Sequence, residues 1–287
     1  MRPPLVVIVG ETASGKSALA LEIAQKFNGE IISADSWTVY RGFDVGTAKP
    51  TAEDRAKVPH HLLDVADPKI GFNAVEFQRL AKEAINDITG RGRLPVLVGG
   101  TGLYIDSVIF DYQFLPPSDP ALREGLNAMS LDQILERAID MGLDTEGIDL
   151  GNKRRVIRLI ENNGSRPTRH ELRENTLVIG TKPERTQLHE RIYERVDAML
   201  RAGLETEVKS LVGQYGWGVE PMKGIGYSQW RNYFMGSSTL EETRQRIVKD
   251  TLSLAKRQRT WFKRNNSIQW IDDHCSAVEL ITTFLNK

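Results

Sequence analysis

Leu5-Val-Val-Ile-Val9-Gly10-Glu-Thr-Ala-Ser-Gly15-Lys16-Ser17 is the stretch whose reading decides the fold. Its first five residues are apolar and mostly β-branched, the composition of a parallel strand buried on both faces. From Lys16 to about Phe27, residues Leu19, Ile23 and Phe27 recur on one helical face. Between strand and helix, Gly10–Ser17 fits the phosphate-loop pattern G-x-x-x-x-G-K-[ST], in the context that the pattern requires. Glycines let backbone N–H groups converge on phosphate oxygens, and the helix N-terminus adds partial positive charge. Gly10, Glu11, Thr12, Ala13, Ser14, Gly15, Lys16 and Ser17 are therefore the candidate phosphate-binding positions. Lys16 would hold terminal phosphates and Ser17 would coordinate Mg²⁺. The competing reading is a Gly-rich turn that binds nothing.

Outward from this loop, strand and helix signals alternate. Glu30–Ser33 reads as a second strand and His60–Val65 as a third. Asn73 with Glu76 resembles a capping box, opening a helix to about Thr89. Leu94–Val98 is another buried strand, and Leu177–Gly180 is the last clear one. This order predicts an α/β fold with a P-loop NTPase-like parallel sheet core. Pro116, Pro117 and Pro120 then break the pattern, and two short helices run to about Leu150. Further helices are expected at 152–163, 184–201, 204–214 and 239–264. The domain reading is a P-loop core over 1–115, a short helical insertion over 116–150, and a remainder over 151–287. That remainder completes the core and adds a basic helical C-terminal region.

Composition sets the outer limits. The chain has 287 residues, 40% apolar and 26% charged, enough for a packed core and a solvated surface, so disorder is excluded. The 38 basic and 38 acidic side chains cancel, so any nucleic-acid affinity must come from local patches. A single cysteine, Cys275, excludes an internal disulfide and a Cys-based zinc site. The early apolar run Pro4–Val9 is too short to span a bilayer and is followed by no small-residue cleavage site. A cytoplasmic monomer with no membrane partner is expected.

Further features bear on chemistry. Strand Leu94–Val98 ends in Gly99-Gly100-Thr101, where a motor-type NTPase would carry an Asp. Phosphate binding without ATP hydrolysis is thus open. Asp35 follows Ile31-Ile-Ser33 at a strand's C-terminal end, where parallel sheets place ligands. It can accept a proton or orient an amine, or simply cap a turn. Trp37, Tyr40 and Phe43 nearby are core residues or base-stacking groups. His60 and His61 adjoin Asp64 and Asp67, but no third ligand spacing supports a metal. Lys153, Arg154, Arg155 and Arg158 share one predicted helix. Between Arg244 and Arg264, eight cations face one acid, Asp250, for a local charge of plus seven, with Trp261 and Phe262 interleaved. That suits an RNA-backbone surface, or a solvated helix face.

Together these residues resemble the tRNA dimethylallyltransferases, also called tRNA isopentenyltransferases. The likeness runs through Gly10–Ser17, Asp35-Ser-Trp-Thr-Val-Tyr40, Asp44-Val-Gly-Thr-Ala-Lys-Pro50 and Pro59-His-His-Leu-Leu-Asp64. It continues through Val98-Gly-Gly-Thr101-Gly-Leu-Tyr104, Arg123, Arg155-Val-Ile-Arg158, Ile225-Gly-Tyr227 and Ala255-Lys-Arg-Gln258-Arg-Thr-Trp261. The resemblance implies transfer of a dimethylallyl group from dimethylallyl diphosphate to the exocyclic amine of the adenine 3′ of the tRNA anticodon. The loop would then hold the leaving diphosphate. By similarity, Asp35 orients and deprotonates the amine, and Lys16 and Thr101 complete the catalytic set. The tRNA anticodon stem-loop is the implied partner. Asp35, Ser36, Trp37, Thr38, Thr101, Arg123, Arg154, Arg155, Arg158, Lys223, Gly224, Ile225, Gly226, Tyr227 and Ser228 match positions that meet it in the family.

The chain departs from the family pattern in places. Leu252 stands where the family carries an arginine expected on the diphosphate, and Lys256, one turn on, is the expected substitute. Gly151-Asn152 replaces Asn-Asp, Thr38 replaces a frequent Gln, and the segment 116–150 is short. Rival readings are an adenylate isopentenyltransferase acting on free AMP, ADP or ATP, a small-molecule kinase, and a tRNA-binding protein with impaired catalysis.

Overall fold

The computed structural model describes residues 2–286. The chain forms two compact units, one of residues up to Ile109 together with those from Leu172, the other of Phe110–Glu171. In the first, β1 (Leu5–Gly10) leads through the phosphate loop into α1 (Lys16–Lys26). There follow β2 (Gly29–Ser33), α2 (Ala52–Lys57), β3 (His60–His61), α3 (Ala74–Gly90), β4 (Leu94–Gly99) and α4 (Gly102–Ile109). The second unit contains α5 (Pro120–Ala128), α6 (Leu131–Asp140) and α7 (Lys153–Glu161). The first resumes with β5 (Thr176–Thr181), α8 (Arg185–Arg201), α9 (Leu204–Tyr215), α10 (Trp230–Phe234), α11 (Leu240–Phe262), β6 (Ile268–Ile271) and α12 (His274–Leu285).

All six strands are parallel, in the order β3-β2-β4-β1-β5-β6. β1 lies at the centre, with Ile8 level with Val98 on one side and Ile179 on the other. Leu5 through Val9 are fully buried. At about 1.5–3 kcal/mol for each large apolar side chain, burial fixes the strand that carries the phosphate loop. The C-terminal ends of β2, β4 and β1 lie side by side and bring Asp35, Gly99 and Gly10 to one edge, where such sheets bind ligands.

Two strand readings need correction. β3 covers only His60–His61, because Leu62 and Asp64 adopt φ of 63° and 59° and turn the chain out of the sheet. Leu177–Gly180 is not the last strand: β6 pairs beyond it in parallel register. β6 has four residues, with Ile268 and Ile271 buried and Gln269 and Trp270 facing out, so it carries no two-residue period. Asn73 does cap α3, accepting from the Val75 and Glu76 amides at 2.9 and 3.1 Å.

The second unit packs on Leu126, Ile134, Ala138, Val156, Ile157 and Ile160. Three of these six lie on α7, which the sequence reading placed beyond the insertion. The apolar face of α7 belongs to the small core, so this unit extends to Glu171 and not to 150. Its buried Glu161 receives Arg123, Arg158 and Ser118.

Candidate active site

A cleft opens at the C-terminal edge of the sheet. Lys16 and Ser17 line it from the phosphate loop, Asp35, Trp37 and Thr38 from the turn after β2, and Gly99 from the end of β4. Arg195 of α8 and Thr251, Leu254 and Gln258 of α11 complete the ring. The first-turn amides of α1 have no intrahelical acceptors and present partial positive charge there. The Lys16 ammonium donates to the Glu11 carbonyl at 3.0 Å. Ser14 is tied to Thr181 across the sheet, hydroxyl to hydroxyl at 2.7 Å.

Asp35 is half-buried. Its Oδ1 accepts from the Trp37 amide at 2.8 Å and the Thr38 amide at 3.4 Å. Those bonds make it a turn cap, as one sequence reading had it, yet they occupy a single oxygen. The carboxylate can cap the turn and face the cleft at once. Thr101 accepts the Ser36 amide at 3.0 Å and donates to the Ser36 hydroxyl at 3.3 Å, so the turns after β2 and β4 are tied together. The aromatic trio divides: Tyr40 and Phe43 are core, while Trp37 is partly exposed in the cleft.

Arg195 went unnoticed in the sequence, where it is one cation among several on an amphipathic helix. Its guanidinium donates to the Thr47 carbonyl at 3.2 Å and shares the cleft with Lys16 and Asp35. Burial lowers the Lys16 ammonium to about 8; the Arg195 charge adds to this, and Asp35 and Glu11 oppose it. Burial also holds Arg195 below its usual range, with Asp35 pulling it up. Two desolvated cations beside a single carboxylate are poised for an anion. The Ser17 hydroxyl and Asp35 carboxylate are hard oxygen donors on that cleft, a set that fits Mg²⁺ shared with phosphate oxygens. Among the described residues, no group of three or more His, Cys, Asp or Glu side chains could hold a metal alone. His60 instead meets the Val58 carbonyl, and His61 meets Glu30 at 2.6 Å.

Helix α11 is latched to the phosphate loop. Gln258 accepts the Thr12 amide at 2.7 Å and donates to the Gly100 carbonyl at 3.0 Å. Arg259 pairs in bidentate fashion with the buried Glu11, and Trp261 donates to Asp106 at 2.9 Å. Glu11 and the Thr12 amide are thus committed to α11. Leu252 packs against the apolar cluster that contains Ile192, Val196 and Trp230. Lys256, its expected substitute on the diphosphate, is exposed and does not line the cleft. The second cation lining the cleft is Arg195.

The family model described as IPP transferase matches residues 38–265. A tRNA dimethylallyltransferase from Desulforudis audaxviator is 44% identical, over 94% of this chain and 92% of its own length. The chain belongs to the IPP transferase family. The full-length tRNA isopentenylpyrophosphate transferase from Bacillus halodurans superposes with a TM-score of 0.76 at 37% identity, covering 99% of this chain and 96% of that one. A eukaryotic dimethylallyltransferase described as acting on tRNA gives 0.78 at 25% identity, covering 94% and 74%. The range matched by the family model begins after the phosphate loop.

The positions that the resemblance assigned to tRNA fall into three settings here. Ile225 and Gly226 line the cleft, beside Trp37 and Thr38. Arg154, Arg155, Lys223 and Ser228 are exposed, Lys223 pairing with Glu220 at 2.8 Å. Others are engaged internally: Arg123 with Glu161, Arg158 with the Leu115 and Pro116 carbonyls, Thr38 with Ser33, and Tyr227 with Glu207. Tyr227 is buried and holds the protein together from within. Gly224 is buried against Trp37. Sequence reasoning missed Arg195 and Glu207, and Thr47 stood in the quoted Asp44–Pro50 motif with no role attached. Gln258 stood in a quoted motif, but with no role attached.

Among the described residues, no helix is long and apolar enough to cross a membrane.

Proposed function

We propose that this chain transfers the dimethylallyl group of dimethylallyl diphosphate to the exocyclic amine of the adenine 3′ of the anticodon in tRNA. The observation that carries this reading is the composition of the cleft: Lys16, Ser17 and Arg195 line it together with Asp35, and β4 ends in Gly99-Gly100 with no acid. Cations with a loop-helix N-terminus suit a leaving diphosphate. An adenine amine is a poor nucleophile, because its lone pair is delocalised into the ring. It needs orientation and a proton acceptor, and the free oxygen of Asp35 supplies both.

In the transfer, the bond from the prenyl C1 to the diphosphate oxygen breaks, and its electron pair leaves with diphosphate. The amine nitrogen forms the new bond to C1, and its proton passes to Asp35. Lys16 and Arg195 bind the diphosphate, where charge builds in the transition state. Mg²⁺, held by Ser17 and diphosphate oxygens, would supply further charge neutralisation. The target base must leave the anticodon-loop stack, at about a few kcal/mol. Trp37 at the cleft offers a stacking face, and the exposed cations Lys256, Arg257, Lys263 and Arg264 on and just after α11 offer phosphate contacts.

The test is acceptor choice. With labelled dimethylallyl diphosphate, tRNA and AMP in one mixture, label should enter tRNA and not AMP. Label in AMP supports the adenylate isopentenyltransferase reading, and ATP consumption with unlabelled tRNA supports the kinase.

A further inference from the structure

Glu207, on α9, faces a backbone loop. Its carboxylate accepts three consecutive amides: Asp44 at 3.1 Å, Val45 at 2.7 Å and Gly46 at 3.0 Å. A fourth donor, the buried Tyr227 hydroxyl, reaches Oε1 at 2.8 Å. Three successive N–H groups around one carboxylate form an anion-binding nest, here filled by the protein's own side chain. The loop lies flat on the Tyr227 ring: a Cβ at Gly46 would stand 2.5 Å from Cζ. Nothing in local secondary structure requires this construction.

The far side of the same loop faces the cleft, where Gly46, Thr47 and Ala48 form part of the wall. The Thr47 carbonyl, one residue beyond the nest, accepts the Arg195 guanidinium at 3.2 Å. Among the described residues this is the one hydrogen bond from the Arg195 guanidinium to protein. A long, rotamer-rich side chain is therefore aimed by a carbonyl whose position depends on the nest.

We propose that Glu207 is a positioning residue for the leaving-group side of the cleft, setting the Thr47 carbonyl and, through it, the direction of Arg195. Glu207 touches no substrate. The proposal rests on the reading of Arg195 as a diphosphate ligand given above. The loop has a second anchor that keeps it folded without Glu207: buried Lys49 donates to the Tyr40 carbonyl at 2.8 Å and to Asp44 and Asp64 at 2.6 Å each. Glu207→Gln should therefore remain folded while losing the arrangement of the nest. A glutamine brings an NH₂ group toward donors that need an acceptor.

The experiment is a double-mutant cycle on binding of inorganic diphosphate. The chain, Glu207→Gln, Arg195→Ala and the double variant are titrated at pH 6.5, with thermal melting and tRNA binding measured alongside. Losing a hydrogen bond that involves a charged group predicts about tenfold weaker binding for Arg195→Ala and for Glu207→Gln. The double variant should bind within about twofold of Arg195→Ala alone, since a residue acting through Arg195 has nothing left to position. Glu207→Gln should melt a few degrees lower, since buried donors lose their acceptor, yet stay folded at assay temperature, and tRNA binding should stay close to the parent chain. Unchanged affinity in Glu207→Gln, or the two losses multiplying in the double variant, overturns the proposal. Unchanged affinity in Arg195→Ala removes Arg195 as a diphosphate ligand and the proposal with it, while leaving transfer to tRNA to its own test. If Glu207→Gln does not fold, Tyr227→Phe takes its place: binding about threefold weaker with Arg195 present and no change in Arg195→Ala are expected. Equal losses in both backgrounds overturn the proposal.

Discussion

Replacing Asp35 by asparagine separates its two tasks. The asparagine carbonyl can still accept the Trp37 and Thr38 amides that Oδ1 holds at 2.8 and 3.4 Å, so the turn should keep its shape. What disappears is the second carboxylate oxygen, the acceptor for the amine proton. A general base contributes about 10²–10⁴-fold, or about 2.7–5.5 kcal/mol of barrier. A second effect must be kept out of the measurement. The Asp35 charge pulls the Lys16 ammonium up toward its value of about 8, so asparagine lets Lys16 deprotonate at lower pH. At pH 7.5 that would weaken donor binding and mimic a catalytic defect. The assay is therefore single-turnover transfer at pH 6.5, well below the Lys16 value of about 8 in the parent chain, with saturating tRNA and dimethylallyl diphosphate. A rate constant lowered by at least a hundredfold, with tRNA binding unchanged, is expected. A rate within tenfold of the parent chain would refute the proton-acceptor role and leave Asp35 as a turn cap.

Other consequences follow from the same geometry. An anion favours charged Lys16, so inorganic diphosphate affinity, corrected for the ligand's own titration near neutral pH, should fall as pH rises through about 8, where the free protein loses that proton; Lys16→Arg should abolish the step in a binding titration, and a step that persists would assign it to another group. Leu252→Arg should not accelerate single-turnover transfer, and should lower stability by about 1–2 kcal/mol through lost apolar packing; a rate gain of tenfold or more would show that this position faces the leaving group. Gly99→Ala would place a Cβ 2.0 Å from the Ala34 carbonyl oxygen, which is backbone and cannot yield cheaply. At about 3 kcal/mol or more, the melting temperature should fall by about 6–12 °C, and an unchanged melt would contradict the packing at the head of β4.

The parts of the fold that read clearly were those with strong local periodicity. Leu5–Val9 and Leu94–Val98 are continuous apolar runs because both faces of a central parallel strand are covered, and both are buried strands. β6 was silent because an edge strand of four residues with two outward side chains carries no such run. α7 was recognised as a helix, but its unit was not, since partnership with Leu126 and Ile134 is a tertiary fact. The site shows the same division. Gly10–Ser17 and Asp35 sit on the segments that a phosphate-binding sheet uses, so position in sequence gives position in space. Arg195 and Glu207 act across more than a hundred residues of chain, on Thr47 and on the 44–46 amides. A cation or acid on an amphipathic helix is usually a solvated face, and only packing tells the exceptions apart. Arg259, counted in the sequence among cations for RNA, is spent on Glu11.

The central claim is tested most directly by mapping the product. The chain is incubated with dimethylallyl diphosphate, Mg²⁺ and an anticodon stem-loop RNA carrying adenine 3′ of the anticodon, beside the same RNA with guanine there. Digestion and mass spectrometry of the nucleosides, with diphosphate measured in parallel, should find one dimethylallyl group on that adenine for each diphosphate released, and none in the guanine RNA. Diphosphate release without nucleoside modification, or equal modification of the guanine RNA, would contradict the account.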